Sequence, residues 1–235
     1  MFTALMALIM GPAALAQQYD NGPELEPDKD YFAILYTTKG EVPVRLYNEK
    51  TPITVRNFVN LAEGTAEYKD PETGEKVKKP FYNGVLFHRV IPSFMIQTGD
   101  PTGTGQSGPG YKIPGEIREE LRFDRPGLLG AAKKGNDPEM SGSQFFITEV
   151  PTPHLNDRHT IFGEVMPGSN GLLVVKEIAR VDRNSADKPR DPVLLERIDV
   201  IRLEKGLSPQ AAFQKMQEEK MKRLAPDEKD QGAAE

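Results

Sequence analysis

The chain has 235 residues, 37% hydrophobic content and a formal net charge of −5, which suits one domain core and gives no general nucleic-acid footprint. It contains no cysteine, so disulfides, zinc–thiolate sites and thiol nucleophiles are excluded. Its 20 prolines and 21 glycines indicate many turns but are too few for a low-complexity or collagen-like chain.

In chain order, Phe2 to Leu15 is an apolar run that ends in Ala14-Leu15-Ala16. This pattern matches a signal-peptide hydrophobic region with an A-x-A cleavage site, so residues 1–16 are expected to be removed on export. No Lys or Arg precedes the run, and a buried N-terminal helix is the alternative reading. The run is too short to span a bilayer comfortably, and no other stretch is apolar enough to do so. The expected product is soluble and monomeric, located in the periplasm or secreted. Residues 17–29 are polar with Pro23 and Pro27, and are expected to be flexible.

Tyr31 to Thr37 alternates as a strand, Gly40 turns the chain, and Val42 to Tyr47 returns it. Pro43 marks that second strand as an edge or a bulge. Thr51-Pro52 then opens a helix, with Thr51 as N-cap and proline at the first helical position. Val55, Phe58, Val59 and Ala62 form one apolar stripe, and Gly64 stops the helix. Tyr68 to Lys79 is a charged surface loop or a small hairpin tip, and its Lys76–Lys79 cluster is better explained by solvation than by a ligand. Strands are predicted at Val85–Arg89, Phe94–Thr98, Gly127–Ala132, Gln144–Glu149, Thr160–Val165 and Val193–Leu203, with a second helix over Leu172–Ala179. The pattern predicts a mainly β fold: a closed antiparallel barrel with helices on its ends, spanning residues 30–203. Residues 204–235 change composition. Ser208-Pro209 starts a helix that runs to Leu224 with a thin stripe of Phe213, Met216 and Leu224, and residues 226–235 are expected to be disordered.

Several familiar motifs fail for lack of context. Gly103 to Gly108 spells G-x-G-x-x-G, but Pro109-Gly110 follows and no helix opens there to receive a phosphate. His88, His154 and His159 include no i, i+4 pair, so no metal or other cofactor is expected. Ser143 lacks the G-x-S-x-G elbow of a hydrolase.

What remains are two strand runs, Phe87-His88-Arg89-Val90-Ile91-Pro92-Ser93-Phe94-Met95-Ile96-Gln97 and Ser141-Gly142-Ser143-Gln144-Phe145-Phe146-Ile147. Together they offer apolar surface, one guanidinium and two amides. Rotating an X-Pro bond meets a barrier of about 18–20 kcal/mol and breaks no bond. It needs no nucleophile or metal. A donor aimed at the proline nitrogen localises its lone pair and weakens the amide resonance, and an apolar pocket favours the less dipolar twisted state. A guanidinium suits this role better than an ammonium. Arg89 supplies the donor, and Phe94 and Met95 supply the surface. Gln97 either binds substrate or holds Arg89. Phe145 and Phe146 point to opposite faces, so one joins the core and the other faces the pocket.

The segments Phe87–Asp100, Ser141–Ile147 and His154–Val165 closely resemble the cyclophilins, a class of peptidyl-prolyl cis-trans isomerases. The resemblance runs from about Phe32 to Arg202. It implies an eight-stranded antiparallel barrel capped by two helices, and proline-containing polypeptides as partners. It also implies Arg89 as the catalytic arginine and a proline pocket of Phe94, Met95 and Phe146 walled by Leu155. Gln97 and Gln144 would orient substrate and Arg89, and His159 would lie at the pocket edge. Ala132 and Lys133 would pair with substrate main chain. Members that bind cyclosporin tightly have tryptophan where His154 stands, so at most weak cyclosporin binding is expected. Lys133-Lys134 replaces the usual Asn-Ala, which predicts a preference for acidic residues N-terminal to the proline. A non-catalytic proline-peptide-binding module is the competing reading, and a chaperone acting through the 204–225 helix is another.

Overall fold

A computed structural model describes residues 22–224. The signal-peptide expectation for residues 1–16 and the disordered-tail expectation for 226–235 lie outside these residues. Within them the chain forms thirteen strands and three longer helices. The first hairpin is β1 (Lys29–Thr37) and β2 (Gly40–Leu46), followed by helix α1 (Pro52–Glu63) and a two-residue hairpin, β3 (Tyr68–Lys69) and β4 (Lys76–Val77). Next come β5 (Val85–Leu86), β6 (Arg89–Ile91), β7 (Met95–Thr98), β8 (Lys112–Pro114), β9 (Leu128–Ala131), β10 (Glu139–Ser141), β11 (Phe145–Thr148) and β12 (Ile161–Val165). Helix α2 (Gly171–Ala179), β13 (Leu194–Glu204) and helix α3 (Pro209–Leu224) complete the order.

Nine strands make one antiparallel sheet in the order β5-β13-β1-β2-β12-β9-β11-β7-β6. Its two edge strands are consecutive in the chain and separated only by Phe87 and His88. Val85 to Ile91 is therefore one broken strand that pairs with β13 through its first half and with β7 through its second. Counted that way, eight strands curl into the expected barrel. The seam is closed by the chain itself and by Thr98 Oγ1, which donates to Leu86 O at 2.9 Å. The barrel interior is apolar. All four predicted stripe residues of α1 are buried. Phe58 drives into an aromatic cluster, 5.3 Å from Tyr82, 5.5 Å from Phe145 and 5.4 Å from Phe162. Full burial of such a side chain contributes about 1.5–3 kcal/mol.

Five local expectations change in physical detail. Thr51 makes no side-chain cap bond. The α1 amides are met instead by Glu116, whose carboxylate accepts from Ile53 N (3.2 Å), Thr54 N (2.8 Å) and Thr54 Oγ1 (2.7 Å). This places a negative charge at the positive helix end. Burial nevertheless raises the Glu116 pKa, outweighing those bonds. Pro43 lies opposite Ile34 inside the sheet and has neighbours on both sides, because just past the last β2–β12 pair, Val44 with Val165, its carbonyl accepts Met166 N at 2.8 Å. Lys133–Ser143 contains β10, which pairs with β8. In α3 the buried residues are Ala212 and Met216, and Leu224 is exposed. Residues 22–28 run along α1: Arg56 donates to Gly22 O and Pro23 O and pairs with Glu24, and Asn60 donates to Pro23 O.

Candidate active site

Strand register decides which side chains meet. Arg89 of β6 lies opposite Gln97 of β7, Gln97 opposite Phe146 of β11, and Phe146 opposite Gly130 of β9. Directly opposed residues on antiparallel strands share a face, so these four form one row. Two residues along, Ile91 faces Met95. The alternate residues Val90, Ile96 and Phe145 belong to the barrel interior. The row therefore lies on the outer surface.

The floor of this outer face is a second apolar cluster. Met95, Phe123, Leu128, Ala132, Phe146 and Ile161 are buried in it, with Ile91, Phe94, Leu121 and Leu155 half-buried around them. Gly130 gives the Phe146 ring its place: a Cβ there would sit 2.2 Å from Phe146 Cζ. Phe123 stacks on Phe146 at 5.7 Å, and His159 meets the same ring edge-on at 5.3 Å. His159 Nδ1 is 3.0 Å from Ala131 O, and a carbonyl can only accept, so that nitrogen carries the proton. Burial pushes the His159 pKa down against that hydrogen bond, and the charges of Lys133 and Arg158 push it further. Phe94 stands on the other wall, 5.3 Å from the His154 ring.

The polar edge is built by relays. Gln97 Nε2 donates to Gln144 Oε1 (3.0 Å), and Gln144 Nε2 donates to Ser107 O (2.8 Å). Gln97 thus holds Gln144 and leaves the Arg89 guanidinium unengaged by it. Ser107 is fixed by the loop that spells G-x-G-x-x-G. That loop closes on the buried Asp100 carboxylate, which accepts from Thr102 N, Thr102 Oγ1, Thr104 Oγ1, Gln106 N and Ser107 N at 2.7–3.1 Å. Burial raises the Asp100 pKa, but these bonds more than offset it and hold it below the usual carboxylate range. The glycine motif thus serves a carboxylate-centred turn. Ala132 N donates to Gln144 O at 2.9 Å. Lys133 follows, half-buried, and Lys134 Nζ reaches Gln106 Oε1 at 3.2 Å.

The Arg89 side chain is 44% exposed at the end of the row, with Nε 3.9 Å from Asp187 Oδ2. Asp187 O accepts Val90 N at 2.8 Å, so the loop carrying Asp187 docks on the free edge of β6. Phe123, Leu121 and Asp187 escape a sequence reading because they lie in irregular segments without periodicity. Gly130 does carry a signal, since a glycine inside a strand marks a close approach. Among the described residues, no group of three or more His, Asp or Glu side chains could hold a metal ion. No helix among them is long and apolar enough to cross a membrane.

The outer face of the barrel thus carries a shallow apolar floor with a guanidinium at one end and two linked amides beside it. The family model for cyclophilin type peptidyl-prolyl cis-trans isomerases (Cyclophilin type peptidyl-prolyl cis-trans isomerase/CLD) matches residues 31–200. Peptidyl-prolyl cis-trans isomerase A of Mycobacterium tuberculosis is 49% identical over 168 residues, covering 72% of this chain and 91% of its own. Peptidyl-prolyl cis-trans isomerase B of Streptomyces anulatus is 48% identical over 170 residues, covering 72% and 95%. A crystal structure of a Cryptosporidium parvum cyclophilin type peptidyl-prolyl cis-trans isomerase superposes with a TM-score of 0.62 at 31% identity, covering 73% of this chain and 98% of that one. The same Cryptosporidium protein crystallised in the presence of the dipeptide Ala-Pro gives a TM-score of 0.61 at 30% identity, covering 72% and 98%. The chain belongs to the cyclophilin-type peptidyl-prolyl cis-trans isomerase family.

Proposed function

We propose that this protein accelerates rotation about X-Pro bonds in exported proteins, with Arg89 acting at the proline nitrogen. The observation that carries the reading is the cross-strand row Arg89–Gln97–Phe146 beside Met95 and Phe94. The proline ring rests on Phe146 and Met95, between Phe94 and His159. The Arg89 guanidinium then donates to the nitrogen only as that atom becomes pyramidal, which is a contact stronger in the twisted state than in either planar one. Gln144 and the 131–133 segment hold the main chain preceding the proline. The neighbour crystallised in the presence of Ala-Pro supports a proline-containing peptide as ligand. Cyclosporin binds weakly, because His154 offers a smaller face than an indole. Export rests on the Phe2–Leu15 run and Ala14-Leu15-Ala16, and is tested by fractionating cells that make the full chain.

The test of catalysis is a protease-coupled isomerisation assay on wild type and Arg89→Ala. Loss of one preorganised donor predicts a drop of about 10²–10³-fold in kcat with the fold intact. An Arg89→Ala variant with undiminished turnover would overturn the role given to Arg89. A wild-type protein that binds proline peptides without turning them over would make it a binding module.

A further inference from the structure

We propose that Glu149 is a positioning residue of the proline pocket, acting through the Pro92–Phe94 turn. The proposal rests on the isomerase reading above. Glu149 stands one residue past β11, and its side chain is only 2% exposed. A carboxylate that deep is costly unless every lone pair finds a donor. One oxygen, Oε2, accepts Ser93 N at 2.8 Å, and the other pairs with Arg180 Nη1 at the end of α2. The Glu149 amide also donates to Phe94 O at 2.8 Å. One residue therefore grips the two consecutive residues that close the β6–β7 turn.

That turn needs a grip. Ser93 has φ 58°, a left-handed conformation that residues other than glycine, Asn and Asp rarely adopt. Pro92 precedes it, and Phe94 N donates back to Ile91 O at 3.2 Å. Two strand residues of the floor, Ile91 and Met95, flank the turn and are fixed by the ladder. Phe94 lies just outside β7: its carbonyl still accepts Glu149 N, but its amide makes only the turn bond to Ile91 O. Its direction, and its contact with His154, follow from the backbone at Ser93. Glu149 holds that backbone through a charge-assisted bond to the Ser93 amide. Arg180 neutralises the carboxylate from a half-exposed position, so the wall of the pocket is tied to the end of α2.

The experiment is steady-state kinetics on an Ala-Ala-Pro-Phe peptide, with thermal unfolding measured in parallel, for wild type, E149A, E149Q, S93V and the double variant E149A/S93G. Wild-type turnover tests the isomerase reading separately: its absence overturns that reading and, with it, a positioning role for Glu149. With turnover present, E149A raises KM about tenfold and leaves kcat within about threefold, because a ground-state binding wall is loosened. E149Q keeps a KM near wild type, since its amide oxygen still accepts the Ser93 N–H. In E149A/S93G the KM returns toward wild type while the lost thermal stability does not, because glycine adopts φ above zero unaided. S93V leaves Glu149 untouched yet raises KM, since a β-branched residue resists that conformation, and it decides the matter if E149A does not fold. Wild-type KM in E149A or in S93V overturns the proposal. So does an E149A/S93G variant whose KM stays raised, which would leave Glu149 a structural residue only.

Discussion

Replacing Gly130 with alanine adds one methyl group to the centre of β9, directly beneath Phe146. The backbone there needs no positive φ, so alanine carries no conformational penalty of its own. The cost is steric. The new Cβ would lie 2.2 Å from Phe146 Cζ, 2.6 Å from Cε2 and 2.8 Å from Cε1. Carbon atoms in contact prefer about 3.5–4.0 Å, so the ring must lift by roughly 1.3 Å or more. It cannot slide sideways, because Phe123 stacks on it and His159 abuts its edge. Overpacking of this kind costs about 1–3 kcal/mol. A displacement of about 1 Å in a substrate-positioning group lowers kcat/KM by up to about 10²-fold. The assay is isomerisation kinetics combined with urea unfolding in a double-mutant cycle with Phe146→Ala. Once the ring is gone the methyl group has room, so Gly130→Ala becomes neutral or stabilising by about 0.4–1 kcal/mol in that background. If Gly130→Ala costs the same with and without the Phe146 ring, the account of why a glycine sits in this strand is wrong.

Two further outcomes follow from charge. Lys133 and Lys134 border the segment assigned to substrate main chain, so peptides X-Ala-Ala-Pro-Phe with acidic X should be turned over faster than those with basic X. The difference should shrink in high salt, and equal rates would remove the lysines from specificity. His88 is buried, and burial lowers its pKa, as it does for His159. A histidine with a depressed folded pKa leaves the unfolded chain binding more protons below the ordinary value of 6.5. Stability is therefore full above pH 6.5 and falls as pH drops from there through the folded values. Urea midpoints at pH 7.5 and 5.5 should show that loss, and it should be smaller in His88→Gln; an unchanged pH slope in that variant would argue against it.

Alternation made the strand faces legible in advance. Phe145 and Phe146 had to part company, and the ladder sends Phe145 inward and Phe146 outward. The Val55–Ala62 stripe and the Gly64 stop were local patterns, and local patterns survive folding. The true cap of α1 was not legible, because Glu116 reaches it from 62 residues away. The same holds for Phe123 beneath the pocket and for Asp187 beside Arg89, which are brought in by loops whose paths are set by tertiary hydrogen bonds. The G-x-G-x-x-G run shows the converse. Its glycines were conspicuous, but what organises them is the single carboxylate of Asp100 just before the motif.

The sheet is apolar on both faces, and that requires two different coverings. On β1 the inward residues Tyr31, Ala33 and Leu35 line the barrel core, while Phe32, Ile34 and Tyr36 point outward. Helix α3 covers the outward set with Ala212 and Met216, and Lys220 fastens it to Glu41 at 2.6 Å. On the opposite side, around β7 and β11, no α-helix among the described residues covers Met95 and Phe146; the loop bearing Phe123 and the short 3₁₀ turn Pro153–Leu155 pack over them, and the half-buried rim of Phe94, Leu121 and Leu155 borders the cleft. Removing the chain after Gly206 should therefore expose Phe32, Ile34, Ile201 and Leu203 without touching the cleft. Burial of Met216 alone is worth about 1.5–3 kcal/mol. For a domain of this size that predicts a fall in Tm of roughly 5–10 °C, with kcat/KM for a short peptide unchanged at 25 °C. A truncated protein that stays folded at 25 °C yet loses turnover would place α3 in the catalytic machinery and would break the division between a covered face and an open one.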